Sequence, residues 1–382
     1  MSKSLPGTPP VLAGYSYVRP LGVGGFADVF LFEQDQPRRQ VAVKVLLQDV
    51  TDEDSRRMFN AEADVMARLS AHPSILTVFD ASISADGRPF IVMEYCPGSY
   101  ASRYRTDRIP VAEVLSTGVR IASALETAHR AGLFHRDIKP SNVLVNTFGS
   151  PVLADFGIAT SMARSERNTT GEQVFAMSVP WSAPEVVEKR ITGSVGTEIW
   201  ALAATLYTLL AGRTPFELVG SGRNGSEQMA ARISKAKYTR IQREDVPEHL
   251  QLILARAMSH DVRQRPGSMF ELATELSYVQ YELGLVPTAI EVATDDWNIA
   301  SPEVDFDDTS ARGPLASTVP HRSRRATPEK RSIGRGAPDS VAAQSRIPAH
   351  GSALRWVAIG AGVVVVLGIA SIVAAVIIGG MT

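Results

Sequence analysis

The chain has 382 residues, of which 45% are hydrophobic and 21% are charged, and its formal net charge is -1. This composition is typical of a globular protein, and the balanced charge gives no reason to expect nucleic-acid binding. Its one cysteine, Cys96, excludes an internal disulfide, and the seven histidines show no metal-ligand spacing. We therefore expect a reducing compartment, no structural zinc, and a small buried hydrophobic role for Cys96.

The N-terminal residues 1–14 lack the apolar run of a signal peptide and are predicted to form a loose leader. The stretch LGVGGFADVF follows at residues 21–30, and taken alone it fits an ordinary turn better than a phosphate-binding loop. Its continuation, VFLFE, a polar turn and then VAVKVLL, predicts two antiparallel strands. A dinucleotide-binding loop runs from a strand into a helix, and a Walker loop needs Gly-Lys-Ser/Thr, so both are excluded.

The lysine of VAVK, Lys44, lies among apolar strand residues, where a cation needs an anionic partner or must reach solvent. One candidate partner is Glu62, in a segment whose residues Phe59, Met66 and Leu69 recur at helical spacing. On Lys44 alone, a strand residue with its amine at the surface is the commoner interpretation.

Further along, polar residues crowd two short stretches between apolar segments. LFHRDIKPSNVL, residues 133–144, places Asp137, Lys139 and Asn142 after an amphipathic helix that is predicted to end at Gly132. VLADFGIA places Asp155 after a short apolar strand. Buried carboxylates and amides need partners, and a divalent cation with a polyphosphate would satisfy all of them together.

Eight features stand in a fixed order: GVGGFADV, VAVK, Glu62, VMEYC, HRDIKPSN, DFG, SAPE and Arg265 in DVRQRPGS. In this order they resemble the bacterial Hanks-type (eukaryotic-like) Ser/Thr protein kinases over residues 15 to about 280. The resemblance implies an α+β, two-lobed protein-kinase-like fold. A small β-rich N-lobe would cover residues 15–96 and a larger helical C-lobe residues 97–282.

The resemblance also implies ATP and Mg²⁺, or Mn²⁺ in its place, as cofactors, with protein substrates. Asp137 would accept the proton of the substrate hydroxyl, and Lys139 would neutralise charge on the transferred phosphoryl group. Lys139 follows Asp137 by two residues, and Ser178 carries a hydroxyl in the substrate loop, a pattern that resembles Ser/Thr rather than tyrosine kinases. The implied metal ligands are Asn142 and Asp155, and the implied ATP-binding residues are Gly22, Gly24, Gly25, Val29, Ala42, Lys44, Glu62, Met93, Glu94 and Cys96, with Met93 as gatekeeper and Lys44 paired with Glu62.

The same resemblance suggests how activity is controlled. An arginine beside the catalytic aspartate, here Arg136, usually binds a phosphate on the activation segment. Thr169 and Thr170 are the candidate sites of trans-autophosphorylation, although ordinary solvated hydroxyls would explain them too. Glu185 of SAPE is expected to pair with Arg265 and anchor the segment that docks peptides.

Three positions depart from the family pattern. Ala27 replaces the third glycine of the loop, and Met177 stands where a glycine usually precedes the hydroxyl residue of the substrate loop. Glu198 takes the place of an aspartate that caps the catalytic-loop backbone, with Ala203 nearby where glycine is common. The extra methylene of Glu198 leaves a nucleotide-binding pseudokinase scaffold as the alternative to an active kinase. A small-molecule phosphotransferase on the same fold is a third interpretation.

The C-terminal part predicts attachment to a membrane. Residues 283–353 are rich in Pro, Ser, Thr and Ala, acidic in the first half and basic in the second, and predict a disordered linker. Trp356 to Ile378 is uncharged throughout, so residues 354–378 are predicted to form a transmembrane helix, followed by a short outer tail at 379–382. The basic flank places the kinase domain in the cytoplasm, where that flank could also contact anionic lipid. Small residues in the span, or the kinase lobe itself, would allow a homodimer.

Overall fold

The computed structural model describes residues 7–24, 27–46, 63–64, 66–156, 178–220 and 224–293. The N-terminal part is a five-stranded antiparallel sheet in the order β1-β2-β3-β5-β4. Its strands are β1 (Tyr15–Val23), β2 (Ala27–Gln34), β3 (Arg39–Leu46), β4 (Val78–Ile83) and β5 (Pro89–Glu94). The two strands predicted around the polar turn are β2 and β3, which pair with Val29 opposite Lys44. The lysine is thereby placed directly beside the strand that leaves the glycine-rich loop.

The two faces of this sheet bury different sets of side chains. Alternate residues of a strand point to opposite faces, so Phe30 and Phe32 of β2 lie on one face while Val29 lies on the other. The first face carries an apolar cluster that includes Phe30, Phe32 and Phe90. The second face includes Ala42 and Met93, which pack with residues of the C-terminal part. That second face forms the upper wall of the candidate site.

The first face is covered by residues 7–14, which were predicted to be a loose leader. Leu12 is only 6% exposed and joins the cluster of Phe30 and Phe32. The Gly7 amide donates to Asp28 Oδ2 at 2.8 Å, and Arg88 donates to the Thr8 carbonyl at 3.0 Å. The prediction is wrong for these residues because the sheet presents apolar side chains on both faces, and the outer face also needs a cover.

The C-terminal part is helical, with one small sheet made of β6 (Gly98–Ser99), β7 (Val143–Val145) and β8 (Pro151–Leu153). Two short 3₁₀ turns, Val179–Trp181 and Val262–Gln264, accompany the helices. The helices are α1 (Tyr100–Arg103), α2 (Val111–Arg130), α3 (Pro184–Val187), α4 (Val195–Ala211), α5 (Ser226–Ile233), α6 (Glu248–Ala257) and α7 (Met269–Glu282).

The core of this part lies along α2 and α4, which are buried on most of their surface. Helix α4 is apolar nearly all round, as expected of a helix inside a domain, whereas α2 is amphipathic and buries its apolar side. The α2 backbone approaches α7 so closely that a Cβ on Gly118 would lie 2.8 Å from Leu276 Cδ1. Helix α2 ends at Arg130, and Gly132 follows with φ +75, which agrees with the predicted glycine stop.

The predicted boundary between domain and linker needs a correction. We predicted that disorder begins at residue 283, directly after α7, yet residues 284–293 remain on the domain. Leu285 and Ile290 pack against its core, and Glu291 and Ala293 make hydrogen bonds to it. The stretch GLVPTAIEVA is itself mostly apolar, but it is short and was grouped with the polar, acidic sequence that begins at residue 294. The predicted span at 354–378 and the rest of the linker lie outside the described residues; within those residues, no helix is long and apolar enough to cross a bilayer.

Candidate active site

An apolar cluster joins the inner face of the five-stranded sheet to the small sheet of the C-terminal part. Ala42 and Met93 are buried there against Val152 and Ala154 of the segment around β8. Four half-buried residues flank this cluster, namely Leu21, Val29, Cys96 and Leu144. Val29, Ala42, Met93 and Cys96, all predicted to bind ATP, therefore lie together at this cluster. Leu21, Leu144 and Ala154 were not predicted, although each is an apolar residue on or beside a strand that borders the cleft.

The glycine-rich loop begins inside β1, whose Gly22 pairs with Val29 of β2. A Cβ on Gly24 would lie 2.8 Å from the Ala27 carbonyl oxygen, so only glycine fits at that position. A Cβ on Gly22 would meet nothing within 4 Å, so the protein's own packing does not demand glycine there. Open space beside a backbone amide is what close approach of a phosphate requires. Gly25 lies outside the described residues.

The segment that begins at the end of β5, from Glu94 to Cys96, was also predicted to bind ATP. The Glu94 amide donates to the Thr77 carbonyl at 2.9 Å and is thus already used. Among the described residues, the Cys96 amide has no backbone acceptor and remains free for a ligand. Burial, reinforced by Glu94, raises the pKa of the Cys96 thiol to about 12. The thiol stays neutral at physiological pH and packs beside the apolar cluster of Ala42 and Met93, so it is not suited to act as a nucleophile.

Lys44 reaches across the cleft to the carboxylate that follows β8. Its Nζ donates to Asp155 Oδ1 at 2.5 Å, while the lysine side chain is only 13% exposed. Loss of solvent in the cleft raises the pKa of Asp155, but Lys44, with His135 and Lys139, outweighs that effect and holds it below its usual value. The predicted partner of Lys44, Glu62, lies outside the described residues.

The loop between α2 and β7 brings the predicted catalytic groups together. Lys139 Nζ donates to Asp137 Oδ2 at 2.6 Å and to Ser178 Oγ at 2.8 Å. Asn142 Nδ2 donates to the Asp137 carbonyl at 2.7 Å and lies 3.3 Å from Asp137 Oδ2. A carboxylate, an ammonium group and the hydroxyl of a distant segment therefore meet at one point.

The predicted metal ligands offer suitable donor atoms. Because the Asn142 amide nitrogen is bonded to the loop, its oxygen is the atom left to face the cleft, with only Ser141 Oγ at 3.3 Å. Asp155 contributes a carboxylate that stays ionised. Magnesium prefers such oxygen ligands and completes its shell with phosphate oxygens. The residues therefore fit a magnesium-nucleotide complex, although no group of three His, Cys, Asp or Glu side chains suited to a metal occurs among the described residues.

One buried histidine connects the two carboxylates of the site. His135 Nε2 donates to the Ala154 carbonyl at 2.8 Å, and its Nδ1 accepts from the Asp137 amide at 3.3 Å. The first bond is made to the residue before Asp155, and the second is made by the backbone amide of Asp137 itself. Asp155 and Arg136 both have positive φ, +63 and +67. Such strained backbone persists only where neighbouring contacts hold it in place.

Glu198, the departure from the family pattern, provides one of those contacts. Its Oε1 accepts from the Arg136 amide at 2.7 Å, and its Oε2 accepts from His129 Nε2 at 2.6 Å. The carboxylate is 2% exposed and lies in the first turn of α4, whose buried helical neighbours include Ala203. The longer side chain thus serves two donors, one of them in the catalytic loop. His129 was not predicted, since nothing near it in sequence marks this contact.

The docking-segment pair that the resemblance implied is present. Arg265 Nη1 and Nη2 donate to the two oxygens of Glu185 at 2.6 and 3.0 Å, and both side chains are buried. Two further donors of Arg265 reach the Gly196 and Ser259 carbonyls, each at 2.9 Å. A buried guanidinium is tolerated when it is paired with a carboxylate and most of its donors are used in this way.

The regulatory residues are only partly within the described ranges. Arg136 is exposed, and within those ranges its guanidinium has no carboxylate partner. Its aliphatic part lies against Gly193, where a Cβ would be 3.3 Å from Arg136 Cγ. Thr169, Thr170 and Met177 lie outside the described residues.

Comparison with known proteins identifies the family. Residues 15–279 match the model of the protein kinase domain. The chain is 36% identical over 292 residues to the serine/threonine-protein kinase PknK of Mycobacterium tuberculosis, and 32% identical over 268 residues to the serine/threonine-protein kinase PrkC of Bacillus subtilis. These alignments cover 74% and 69% of this chain, but 25% and 39% of the relatives. The chain thus matches a quarter to two fifths of their length.

A solved structure supports the fold. The crystal structure of the kinase domain of Mycobacterium tuberculosis PknI, determined on a point mutant, superposes with a TM-score of 0.53 at 30% sequence identity. The match covers 72% of this chain and 99% of that domain. Together with the sheet and helices described above, it confirms the predicted two-lobed arrangement.

Proposed function

The chain belongs to the protein kinase family, and from that membership we propose that it transfers the γ-phosphoryl group of ATP to Ser or Thr hydroxyls of proteins in bacterial signalling. Its relatives are named as serine/threonine-protein kinases. Magnesium and ATP supply the charge-shielded phosphoryl donor when bound. The contributions of the chain itself are binding, orientation and proton transfer.

One observation carries this proposal: Lys139 Nζ binds both Asp137 Oδ2 and Ser178 Oγ. Ser178 belongs to the segment where a substrate hydroxyl would arrive, so the contact fixes that segment beside the carboxylate. In our proposal Asp137 Oδ2 accepts the proton of the attacking hydroxyl, and Lys139 offsets the charge that develops on the transferred group. Lys44 binds the α- and β-phosphates, while Asn142 and Asp155 hold the magnesium.

Incorporation of labelled phosphate by the full chain, in the presence of ATP and Mg²⁺, tests the activity. We expect phosphate on Ser and Thr and none on Tyr. The Asp137→Asn variant should lose activity by about 10²-fold or more, because the proton acceptor is removed. Asp107→Asn is the matched control, since Asp107 lies on the surface beside Arg103, away from the cleft. Nucleotide binding without incorporation by the unaltered chain would contradict the proposal and indicate a scaffold.

We further propose that Thr169 and Thr170 are phosphorylated in trans and that Arg136 binds the product. The exposed guanidinium of Arg136 beside the catalytic loop supports this role. Unlabelled Asp137→Asn protein serves as the substrate for active enzyme, and mass spectrometry locates the phosphates. Modification of the inactive chain at either threonine is the expected result. Phosphate found at neither position would contradict the proposal.

Attachment to the cell membrane is proposed from the sequence of residues 354–378, with the kinase domain on the cytoplasmic side. The basic flank and the uncharged span support it. We expect the full chain to sediment with membranes in high salt. A variant that lacks residues 354–378 should instead remain in the supernatant. A homodimer in the membrane would favour trans-phosphorylation by raising the local concentration. Recovery of the full chain in the soluble fraction would contradict the attachment.

A further inference from the structure

The segment that follows α7, residues 284–293, forms a strap along the surface of the domain. Gly284 has φ +69 and ends the helix, with the Leu285 amide donating to the Gln280 carbonyl at 2.9 Å. This C-terminal cap of the helix directs the following residues along the domain surface rather than away from it. Leu285 and Ile290 then pack against the core.

The strap satisfies a buried amide of α7. Gln280 is 3% exposed; its Nε2 donates to Thr288 Oγ1 at 2.9 Å, and its Oε1 accepts from the Thr288 amide at 2.8 Å. Without the strap, both ends of this amide would lose their partners. Leaving a buried polar group unsatisfied is unfavourable, so the docked strap is favoured over a free one.

The far end of the strap reaches the loop before β4 as well as helix α2. Glu291 accepts from His72 Nε2 through its carbonyl oxygen at 2.6 Å, and the Ala293 amide donates to Thr127 Oγ1 at 3.3 Å. A carbonyl only accepts, so the proton of His72 is on Nε2. Nδ1 is left to accept from the Ser74 amide at 3.0 Å. His72 thus joins the strap to the loop of residues 72–77.

That loop is in turn bonded to the strand that leads to Asp155. The Ser74 carbonyl accepts from the Leu153 amide at 2.9 Å, and the Leu76 amide donates to the Leu153 carbonyl at 2.9 Å. Leu153 precedes Asp155 by two residues. His72 also lies in the turn that follows the helical residues 66–69, with its amide donating to the Leu69 carbonyl at 3.0 Å. A short series of hydrogen bonds therefore runs from the strap to the metal-binding end of β8.

We propose that the docked strap positions Asp155 for binding of magnesium and ATP, with His72 as the positioning residue that connects the two. The strap contacts α2 and α7 of the C-lobe and the loop that enters the N-lobe sheet, so it fixes this loop relative to both helices. Release of the strap removes the support of the loop and of Leu153. The inference rests on the proposed kinase function, because it concerns how that site holds its metal-nucleotide complex.

Two variants of the full chain, purified in mild detergent, weaken the docking of the strap and leave most of the surrounding hydrogen bonds in place. His72→Asn keeps a side-chain oxygen for the Ser74 amide but is too short to reach the Glu291 carbonyl. Thr288→Val removes the hydroxyl that accepts from Gln280 and acts at the other end of the strap. The matched controls are His260→Asn at an exposed histidine and Thr274→Val on α7, whose exposed hydroxyl donates to the Phe270 carbonyl at 2.8 Å.

Three measurements are made on each protein: amide hydrogen exchange of residues 284–293, affinity for ATP with Mg²⁺, and affinity for ATP in EDTA. We expect both variants to exchange faster in the strap and to bind ATP with Mg²⁺ about three- to tenfold more weakly, the range set by one lost hydrogen bond. Affinity in EDTA should stay unchanged, because the effect acts through the metal ligand. The controls should match the unaltered chain throughout.

The outcomes distinguish this inference from general destabilisation and from failure of the proposed function. Equal weakening with Mg²⁺ and in EDTA would overturn the inference and indicate a purely structural strap. So would faster exchange of the strap with unchanged affinity for ATP and Mg²⁺. Absence of phosphate transfer by the unaltered chain would refute the kinase proposal alone, since nucleotide binding and exchange are measured without transfer.

Discussion

Shortening Glu198 to aspartate restores the residue that the family pattern places at this position, yet we expect it to harm the protein. Each oxygen of Glu198 already lies within 2.7 Å of its donor, His129 Nε2 or the Arg136 amide. Withdrawing the carboxylate by one methylene, about 1.5 Å, takes at least one of these contacts beyond hydrogen-bond range. Glu198→Asp should therefore keep one donor and lose the other.

The expected loss follows from two contributions. A hydrogen bond to a buried carboxylate contributes about 1.5–3 kcal/mol. The missing methylene removes about 0.8 kcal/mol of apolar burial. Together they predict a decrease of about 2–4 kcal/mol in the free energy of unfolding, which is a large part of the ~5–15 kcal/mol of a typical domain.

Urea unfolding followed by tryptophan fluorescence measures this change, with Glu188→Asp at an exposed ion pair as the control. The turnover number then identifies the lost contact. If the Arg136 amide loses its acceptor, the catalytic loop loosens and kcat falls; if His129 loses it, stability falls and kcat is kept. A variant within about 0.5 kcal/mol of the unaltered chain, with unchanged kcat, would refute the two-donor role of Glu198.

Three further outcomes are expected. Glu185→Gln should lower the free energy of unfolding by about 3–5 kcal/mol, because it leaves the buried Arg265 without its counter-charge. In the same urea titration, Glu188→Gln at the surface should leave the free energy of unfolding nearly unchanged. Burial lowers the pKa of His72 despite its bond to Glu291, so as the pH falls below about 6.5 the unfolded chain binds a proton at this histidine before the folded chain does, and stability should fall. The urea midpoints at pH 7 and pH 5.5 should therefore differ less in His72→Asn than in the unaltered chain. An equal difference in both proteins would contradict the role of His72 in this pH dependence. With its pKa raised to about 12, Cys96 should react with iodoacetamide at pH 8 about a hundredfold more slowly than in the urea-unfolded chain, and similar rates would show that the thiol is not buried.

Much of the fold and most of the site were predictable because their signals are local. The apolar runs VFLFE and VAVKVLL, separated by a polar turn, predict two antiparallel strands, which are β2 and β3 in the structure. The glycine stop at Gly132 reflects a backbone geometry that one residue determines. The polar clusters around Asp137 and Asp155 could be interpreted because buried carboxylates need partners wherever they occur.

The contacts that escaped prediction join residues that are far apart in sequence. His129 meets Glu198 across 69 positions, and His72 meets Glu291 across 219. A lone histidine carries no local sequence pattern that identifies a partner so far away along the chain. The cover of residues 7–14 was missed for a related reason, because the need for it arises from the outer face of a sheet that forms only after folding.

The packing of Leu12 has a practical consequence for shortened versions of the chain. A fragment cut at the family limits, residues 15–279, would lose Leu12 from the cluster of Phe30, Phe32 and Phe90 and would expose more of this apolar face to water. Contiguous exposed apolar surface promotes self-association. The same fragment would end before Gln280 and lose the support of Thr288. Residues 7–293 are therefore the minimal unit to choose for crystallisation or inhibitor screening.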